Sequence, residues 1–138
     1  MLADRVESIM TRDVISIARK LKVDVALETM RQNDVRRLPV LSETGRLIGI
    51  ITESDALVAM PTGSTLLGTA SAHDEIPDVQ DVMATDVVTV GPSDSIARAA
   101  QLMHDRKVGA LPVLEDKKVV GIVTESDIFK FVVRQLGA

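Results

Sequence analysis

An internal repeat is the feature that most constrains the fold of this chain, because two copies of one segment must adopt the same structure. The residues Leu-Pro-Val-Leu stand at Leu38–Leu41 and again at Leu111–Leu114. The residues Thr-Glu-Ser-Asp stand at Thr52–Asp55 and again at Thr124–Asp127. The offset between the copies changes only in the turn between these two blocks, where insertions and deletions are tolerated. The chain is therefore predicted to contain two copies of one structural unit.

Each copy predicts the element order β-α-β-β-α, and the fold class is therefore α/β (α+β). In the first copy an extended segment over Val14–Ile17 precedes a helix over Val23–Met30, whose apolar residues recur at helical spacing. Strands around Leu38–Leu41 and Leu47–Ile51 then enclose a polar turn, which is typical of a β-hairpin, and a short helix follows over Glu53–Met60. The elements predicted in the second copy are a strand at Val87–Val90, a helix capped by Ser93 or Ser95 with Ile96, Ala99, Ala100 and Met103 on one side, strands Leu111–Leu114 and Val119–Val123, and a last helix at Glu125–Leu136.

Residues 61–78 have no counterpart in the second copy and contain Pro, Gly and Ser, so they are predicted to form a linker. This linker joins a first repeat at residues 1–60 to a second repeat at residues 79–138, and Ala70–Glu75 could form one further helical turn within it. A repeat of about 60 residues forms only a marginal core on its own. The two repeats are therefore expected to pack together about a pseudo-two-fold axis.

Composition argues against several classes of function. The formal net charge is −4 and aromatic residues make up 1% of the chain. Nucleic-acid-binding proteins usually have a basic excess and single-strand binders stack bases on aromatic rings, so nucleic acid is not an expected partner. The absence of Cys excludes disulfides, zinc–thiolate sites and cysteine nucleophiles. Charges within Met1–Met10 argue against a signal peptide and no apolar run is long enough to span a membrane, so we expect a cytoplasmic protein.

Thr52–Asp55 and Thr124–Asp127 are the most informative residues, because each block stands where a buried strand is expected to end and a helix to begin. One interpretation is a capping box, in which the Thr side chain accepts from a helical amide and the Asp side chain reaches back. The other is a ligand site, because a helix N-terminus offers free amides to a phosphate and a carboxylate there can accept both hydroxyls of a ribose. The interpretations are compatible, since a carboxylate has several lone pairs.

Taken together, these motifs resemble the cystathionine-β-synthase (CBS) domain. Each copy carries a Met, a short extended segment, a Leu-Pro-Val strand and a Gly-x-x-Thr-x-x-Asp block. The matching residues are Met10, Val14–Ile17, Val35–Val40 and Gly49–Asp55 in the first copy, and Met83, Val87–Val90, Val108–Val113 and Gly121–Asp127 in the second. The resemblance implies a stand-alone CBS domain pair with two clefts. Such clefts commonly bind adenine nucleotides, sometimes S-adenosylmethionine, and the pair usually regulates another protein.

The resemblance also implies which residues bind the ligand, and each cleft combines residues from both repeats. One set is Ser16, Ile17, Val35, Arg36, Thr124, Ser126 and Asp127. The other set is Arg37, Thr52, Ser54, Asp55, Thr89, Val90, Val108 and Gly109. In this scheme the Asp accepts from the ribose, Thr and Ser approach the phosphates, backbone beside the first strand recognises adenine, and aliphatic side chains flank the base.

The two clefts are expected to differ in charge. Arg36–Arg37 in the first copy corresponds to Gly109–Ala110 in the second, and Ala18–Lys20 corresponds to Gly91–Ser93. The Arg pair is either part of a phosphate site or a solvated pair on an edge strand. In the first case the cleft that contains Arg37 and Asp55 should prefer the more phosphorylated ligand, because a guanidinium offers several donors to a phosphate. If Arg36 reaches the other cleft, this difference shrinks.

No constellation in the sequence indicates catalysis, so an enzyme is not expected. His73 and His104 are isolated, which argues against a metal site, and neither a metal nor a resident cofactor is expected. The alternative to a nucleotide sensor is a structural dimerisation module with unoccupied clefts. A homodimer is expected, because helices over Val23–Met30, Ile96–Met103 and Ile128–Leu136 would expose apolar surface in a monomer. Nothing in the sequence identifies the regulated protein.

Overall fold

The computed structural model describes residues 4–61 and 75–137. In chain order its strands and helices are β1 (Ile17–Ala18), α1 (Val23–Asn33), β2 (Arg37–Leu41), β3 (Leu47–Thr52), α2 (Glu53–Ala59), α3 (Ile96–Arg106), β4 (Ala110–Glu115), β5 (Lys118–Thr124) and α4 (Glu125–Leu136). This order confirms the predicted fold class, hairpins and helices. Most of the predicted linker lies outside the described residues, including His73 and most of the possible helical turn at Ala70–Glu75.

The chain forms two compact units, of which the first is Ile15–Val87. Its sheet has the order β1-β2-β3, with β1 parallel and β3 antiparallel to β2. Parallel strands need a crossover connection, which α1 provides between β1 and β2. Helices α1 and α2 contact each other and the sheet. The buried core residues of this unit are Ile17, Val23, Ala26, Met30, Leu38, Val40, Ile51, Ala56, Ile76 and Val79.

The second unit combines Met1–Val14 with Val88–Ala138 and is built on the β4–β5 hairpin, which α3 and α4 contact. The strand predicted at Val87–Val90 is wrong in extent, because only Val90 pairs, through one parallel bridge to Val113. Pro92 has no amide hydrogen to donate, so the ladder cannot extend as it does in β1. The buried core residues are Val6, Val90, Ile96, Ala99, Met103, Leu111, Val113, Val123 and Ile128.

The compact units do not follow the boundaries of the sequence repeats, because each contains the leading segment of the other repeat. Val6 is fully buried in the second unit, where its amide donates to the carbonyl of Asp94 at 2.8 Å. Val79, the repeat counterpart of Val6, is fully buried in the first unit, where its amide donates to the carbonyl of Leu21 at 2.8 Å. Each of these two residues begins its own single turn of 3-10 helix. The leading segments are therefore exchanged reciprocally.

Each exchanged segment also covers the outer edge of a hairpin. Thr11 pairs with Ile122 of β5 through backbone hydrogen bonds of 2.8 and 2.9 Å. Ala84 pairs with Ile50 of β3 through two backbone hydrogen bonds of 2.9 Å. Open strand edges invite pairing with other chains, so these bridges satisfy backbone groups that would otherwise be exposed.

Two glycines make this close approach possible. Met10 lies over Gly121 and Met83 lies over Gly49, and a Cβ atom at either glycine would come within 2.5 Å of the methionine sulfur. At Gly49 the same Cβ would also lie 2.8 Å from the carbonyl oxygen of Ala84. Real Cβ atoms do not approach other heavy atoms so closely, so a side chain at either position would displace the covering segment.

The apolar stripes of α1 and α3 lie inside the units, which corrects the expectation that they would be exposed in a monomer. Val23, Ala26 and Met30 of α1 are buried, as are the corresponding residues Ile96, Ala99 and Met103 of α3. Each unit has a sheet face that is wide enough to cover its own first helix. The exposed apolar residues belong largely to α2 and α4 instead.

We expect Gly49→Ala and Gly121→Ala each to lower the free energy of unfolding by about 1–3 kcal/mol, the usual cost of overpacking a tight contact. Urea denaturation followed by circular dichroism measures this loss. Gly91→Ala is the matched control, because a Cβ at Gly91 meets no atom closer than 3.8 Å, and we expect it to change stability by less than about 0.5 kcal/mol.

The double variant Gly49→Ala/Met83→Ala should recover part of the loss, since it removes the sulfur but leaves the carbonyl of Ala84 in place. If Gly49→Ala is as stable as Gly91→Ala, the close approach does not determine stability.

Candidate functional site

The two Thr-Glu-Ser-Asp blocks lie where the sequence predicts, each at the end of a hairpin and the start of a helix. Thr52 caps α2 and its hydroxyl accepts from the amide of Asp55 at 3.2 Å. Thr124 caps α4 and its hydroxyl accepts from the amide of Asp127 at 3.3 Å. The capping interpretation is therefore confirmed for both threonines.

The two aspartates differ, although their four-residue contexts are identical. One oxygen of Asp127 accepts from the Thr124 amide at 2.9 Å and from the Thr124 hydroxyl at 3.1 Å, which completes a capping box. At α2 the expected reciprocal bond is absent, so the prediction of a full capping box is wrong for Asp55 among the described residues. The side chain of Asp55 is exposed to solvent. Within residues 4–61 and 75–137 neither oxygen of Asp55 accepts a hydrogen bond from the helix cap, whereas one oxygen of Asp127 is engaged.

In the first unit, the first pair of residues in the β2–β3 ladder brings an arginine beside the cap of α2. Arg37 and Thr52 are directly opposed in the ladder, and directly opposed residues project from the same face of a sheet. Arg36 precedes the strand and is exposed, while its carbonyl accepts from the amide of Glu53 at 2.8 Å. Arg37 is half-buried. This unit therefore places Arg37 and Thr52 together at the end of the hairpin from which α2 starts.

The other predicted ligand residues of the first unit lie at the starts of β1 and β2 and in the first turn of α2. Ser16 is half-buried immediately before β1, and Ile17 is buried within it, opposite Val40 of β2. Val35 is half-buried between α1 and β2. Ser54 is exposed in the first turn of α2. These residues belong to one compact unit.

The second unit repeats this arrangement without the arginines. Ala110 is directly opposed to Thr124, and the carbonyl of Gly109 accepts from the amide of Glu125 at 3.0 Å. Ser126 is exposed in the first turn of α4. Of the remaining predicted residues, Thr89 and Val108 are half-buried and Val90 is buried. The hairpin end that carries Thr124 is therefore uncharged where the other carries Arg37.

Each predicted ligand set draws on both units. The structure brings together Thr52, Arg37 and Asp55 in the first unit, and Thr124 and Asp127 in the second. The pairing of these groups with Thr89 and Val90, or with Ser16 and Ile17, stays a prediction.

A further cluster follows β1 in the first unit, and nothing in the sequence pattern marks its acidic member. Glu43 accepts from Nε of Arg19 at 3.1 Å, and Lys20 lies 3.8 Å from the same carboxylate. The pKa of Glu43 is lowered, first by a hydrogen bond from its own backbone amide and then by Arg19. The charges of Arg19 and Lys20, which distinguish the repeats in sequence, are thus matched locally. The difference between the two hairpin ends rests on Arg36 and Arg37.

Lys22 and Asp78 form a second ion pair in this unit, at 2.9 Å, between the start of α1 and the segment before Val79. The hydrogen bond from Lys22 lowers the pKa of Asp78. Because the folded-state pKa is depressed, this contribution to stability is present above the unfolded pKa of Asp78 and is lost as the pH falls through its folded value. The pair fastens the exchanged segment and is not part of the predicted ligand sets.

The described residues were also compared with the requirements of a metal site and of a membrane-spanning helix. Within residues 4–61 and 75–137, no group of three or more His, Cys, Asp or Glu side chains is placed to bind a metal ion. His104 is exposed in the last turn of α3, as predicted. In the same ranges, every helix falls short of the length and hydrophobicity that crossing a bilayer requires.

The model of the CBS domain family matches residues 6–62 and again residues 79–134. The chain belongs to the CBS domain family. The resemblance inferred from the paired motifs is therefore confirmed, and the two matches cover both copies of the repeat.

Relatives carry this domain pair in different settings. A CBS domain-containing protein of Dictyostelium discoideum is 32% identical over 136 residues, which cover 95% of this chain and 92% of that protein. An uncharacterised protein of Methanocaldococcus jannaschii is 35% identical over 131 residues, 91% of this chain and 46% of that protein. Inosine-5′-monophosphate dehydrogenase of Korarchaeum cryptofilum is 35% identical over 127 residues, 91% of this chain and 24% of the enzyme. The chain therefore spans less than half of the last two proteins.

Solved structures confirm the fold. A putative acetoin utilization protein of Vibrio cholerae has a TM-score of 0.79 and 31% identity, with 96% of this chain and 92% of that chain covered. CBSX2, crystallised in complex with AMP, has a TM-score of 0.79 and 26% identity, covering 95% and 97%. The CBS domain pair of protein MJ0100, in complex with 5′-methylthioadenosine and S-adenosyl-L-methionine, has a TM-score of 0.78 and 25% identity, covering 93% and 98%. Members of the family thus bind adenosyl ligands.

The different bonding of the two aspartates predicts different effects on stability. Asp127→Ala removes a capping-box carboxylate and should lower the free energy of unfolding by about 1 kcal/mol. Asp55→Ala removes only a charge near a helix N-terminus and should cost a few tenths of a kcal/mol, about the lower end of such effects. Urea denaturation without ligand measures both.

Thr52→Ala and Thr124→Ala serve as controls, because both hydroxyls accept a helical amide, and each should cost about 1 kcal/mol. Equal losses for the two Asp variants would contradict the observed asymmetry.

Proposed function

We propose that this CBS domain pair is a regulatory module that binds an adenine nucleotide (AMP, ADP or ATP), or a related adenosyl ligand such as S-adenosylmethionine, and performs no chemistry itself. The observation that carries this proposal is the Thr-x-x-Asp block at the hairpin–helix junction of each repeat, in a chain whose structural relatives were crystallised with such ligands. Sensing the energy state of the cell follows if the ligands are AMP and ATP.

The physical role of each group follows from its chemistry. A carboxylate at Asp55 or Asp127 can accept hydrogen bonds from both hydroxyls of a ribose. Hydroxyls of Thr and Ser at the start of a helix suit a phosphate, and the positive end of the helix dipole favours an anion there. Ile17 and Val90 supply aliphatic contacts to the base, which fits a chain without Trp or Tyr. Backbone groups beside Ser16 and Thr89 would then distinguish adenine from other bases.

We assign the residues to two clefts. One cleft uses Ser16, Ile17, Val35 and Arg36 with Thr124, Ser126 and Asp127. The other cleft uses Thr89, Val90, Val108 and Gly109 with Arg37, Thr52, Ser54 and Asp55. The two clefts are not equivalent, because the carboxylate of Asp127 already accepts two hydrogen bonds while that of Asp55 has none within the described residues. A ligand at Asp127 finds one of the two carboxylate oxygens already engaged, so the Asp55 cleft is expected to fill first.

The alternative is a structural module with unoccupied clefts, and the capping roles of Thr52 and Thr124 are the observations that favour it. Capping alone would preserve these residues without any ligand. An enzyme is disfavoured, because in the dehydrogenase relative the matched segment is about a quarter of the protein. The regulated protein is a partner that this chain does not reveal.

We also propose that the chain forms a homodimer. The apolar stripes of α1 and α3 are buried and offer no interface, whereas α4, the third helix expected to be exposed, supports a homodimer. Phe129, Val132, Val133 and Leu136 of α4 are all exposed, with 83% of Leu136 accessible to solvent. Contiguous exposed apolar residues mark interaction surfaces. A second copy of the chain is the simplest partner for this surface.

Calorimetric titration with AMP, ADP, ATP, 5′-methylthioadenosine and S-adenosylmethionine tests the ligand proposal, and we expect at least one to bind. Asp55→Ala and Asp127→Ala should each weaken binding at one cleft by roughly 10- to 150-fold, since a hydrogen bond to a charged group contributes about 1.5–3 kcal/mol. Asp105→Ala is the control, because Asp105 is an exposed residue on α3 outside both ligand sets.

No binding by the parent protein would support the structural module. If Asp127→Ala melts early yet binds as tightly as the parent, Asp127 only caps its helix, and unchanged binding by Asp55→Ala would remove Asp55 from the ligand site.

Arg37 is expected to set the preference for phosphate number. Because Arg37 lies opposite Thr52 at the hairpin end, Arg37→Ala should weaken ATP binding by about tenfold or more and AMP binding by less. Arg36→Ala, the matched control, should have a smaller effect because Arg36 is exposed outside the strand. Calorimetry with both nucleotides measures the ratio, and equal effects on AMP and ATP would make Arg37 a solvated surface charge.

A further inference from the structure

Two methionines hold equivalent positions in the two compact units, and the proposed ligand sets use neither of them. Met10 packs against the core of the second unit and Met83 against the core of the first, and both side chains remain partly accessible to solvent. The sulfur of Met10 lies over the backbone of Gly121, and the sulfur of Met83 lies over Gly49. Each sulfur is therefore at the contact between a leading segment and the outer strand of a hairpin.

Each methionine directly precedes the residue that bridges to the strand edge. Thr11 exchanges two backbone hydrogen bonds with Ile122, and Ala84 exchanges two with Ile50. Both are isolated bridges and not parts of a longer ladder. Two hydrogen bonds that water can replace contribute little net stability, so the packing of the adjacent methionine is expected to determine whether the bridge stays closed.

A thioether sulfur that solvent reaches can be oxidised by a peroxide. The sulfur forms a bond to one peroxide oxygen, the O–O bond breaks, and the hydroxyl proton passes to the departing hydroxide, which leaves as water. The sulfur loses the two electrons that reduce the peroxide, and the product is methionine sulfoxide, which is polar and chiral. The added oxygen has no room between sulfur and glycine, because a Cβ atom there would already lie 2.5 Å from the sulfur.

We propose that Met10 and Met83 are sites of oxidation by peroxides, and that oxidation releases each leading segment from the hairpin edge it covers. This inference goes beyond the proposed ligand binding and does not depend on it. A sulfoxide packed on an apolar core loses hydrogen bonds to water, so the oxidised side chain turns towards solvent. The methionine then leaves its glycine, and the backbone groups of Ile50 and Ile122 at the strand edges are uncovered.

The other methionines among the described residues lie in different surroundings. Met30 and Met103 are 1% and 6% exposed, on the buried stripes of α1 and α3, so a peroxide has little access to them while the protein is folded. Met60 is partly exposed, as Met10 and Met83 are, but it follows α2 and lies outside the leading segments. Met60 is therefore the matched control.

Peptide mass mapping of the full chain after brief treatment with dilute hydrogen peroxide tests the oxidation sites. In the folded protein we expect Met10 and Met83 each to gain one oxygen atom. Met30 and Met103 should gain oxygen only when the peroxide is added in urea, after the chain has unfolded.

Native-state hydrogen exchange on the oxidised protein measures the release of the leading segments. The bridging amides of Thr11, Ile50, Ala84 and Ile122 should exchange about tenfold faster or more after oxidation, because they are protected only while the bridges are closed. Amides that pair β2 with β3, or β4 with β5, should change less, because those ladders do not involve the leading segments.

Leucine variants show which sulfur is responsible, because leucine has no sulfur to oxidise and a volume close to that of methionine. Peroxide should lower the melting temperature of the parent and of Met60→Leu by about 3 °C or more, and should leave that of Met10→Leu/Met83→Leu unchanged. Each protein is compared with itself before and after treatment, so a lower starting stability of the double variant does not affect the comparison. If the double variant fails to fold, the exchange rates of the parent decide the question.

Met10 and Met83 that stay reduced in the folded protein would overturn the oxidation sites. Oxidised methionines with unchanged exchange at the four bridging amides would overturn the release of the segments. An equal change in melting temperature for the parent and for Met10→Leu/Met83→Leu would assign any effect of peroxide to other residues and would also overturn the proposal.

Discussion

In each compact unit, a leading segment closely approaches a glycine of the outer strand and covers the edge of the hairpin. Met10 against Gly121 and Met83 against Gly49 bring Thr11 and Ala84 within hydrogen-bonding distance of an outer strand. The bridges satisfy the edge of each hairpin, and the buried Val6 and Val79 fix the same segments at a second point. A hairpin without such cover would expose polar backbone beside an apolar core. The hairpin ends that start α2 and α4 depend on this support.

Stability and proposed binding draw on the same groups at these hairpin ends. Thr52 and Thr124 cap helices, and the same hydroxyls are proposed to approach a phosphate. A residue that serves both purposes remains in place whether or not a ligand is present. The fold therefore provides a preformed set of donors and acceptors, and ligand preference can be adjusted at neighbouring positions such as Arg37 and Ala110 without disturbing the cap.

Much of the fold was predictable from the repeat, because its signals are local. The range of α4 agrees at both ends with the sequence prediction, since Thr124 marks the start and apolar spacing marks the length. The exchange of leading segments was not predictable, because a bridge such as Thr11 with Ile122 joins residues far apart in sequence. The unequal bonding of Asp55 and Asp127 was not predictable either. Both aspartates stand in the same four-residue sequence, so the local sequence does not determine which side chain stays exposed. The grouping of Arg37 with Thr52 was implied by the family resemblance, and the hairpin register places the two residues directly opposite each other.

The exchange has a consequence for the order in which the protein is made. The segment that contains Val6 and Met10 leaves the ribosome well before its partners Asp94 and Gly121, which follow much later in the sequence. The sheet of the first repeat is likewise covered only after Val79 and Ala84 have been synthesised, because these residues form its covering segment. Folding therefore has to connect distant parts of the sequence, which slows it relative to a protein of local contacts. During synthesis the side chain of Val6, which is fully buried in the folded unit, stays exposed until its binding surface has been made.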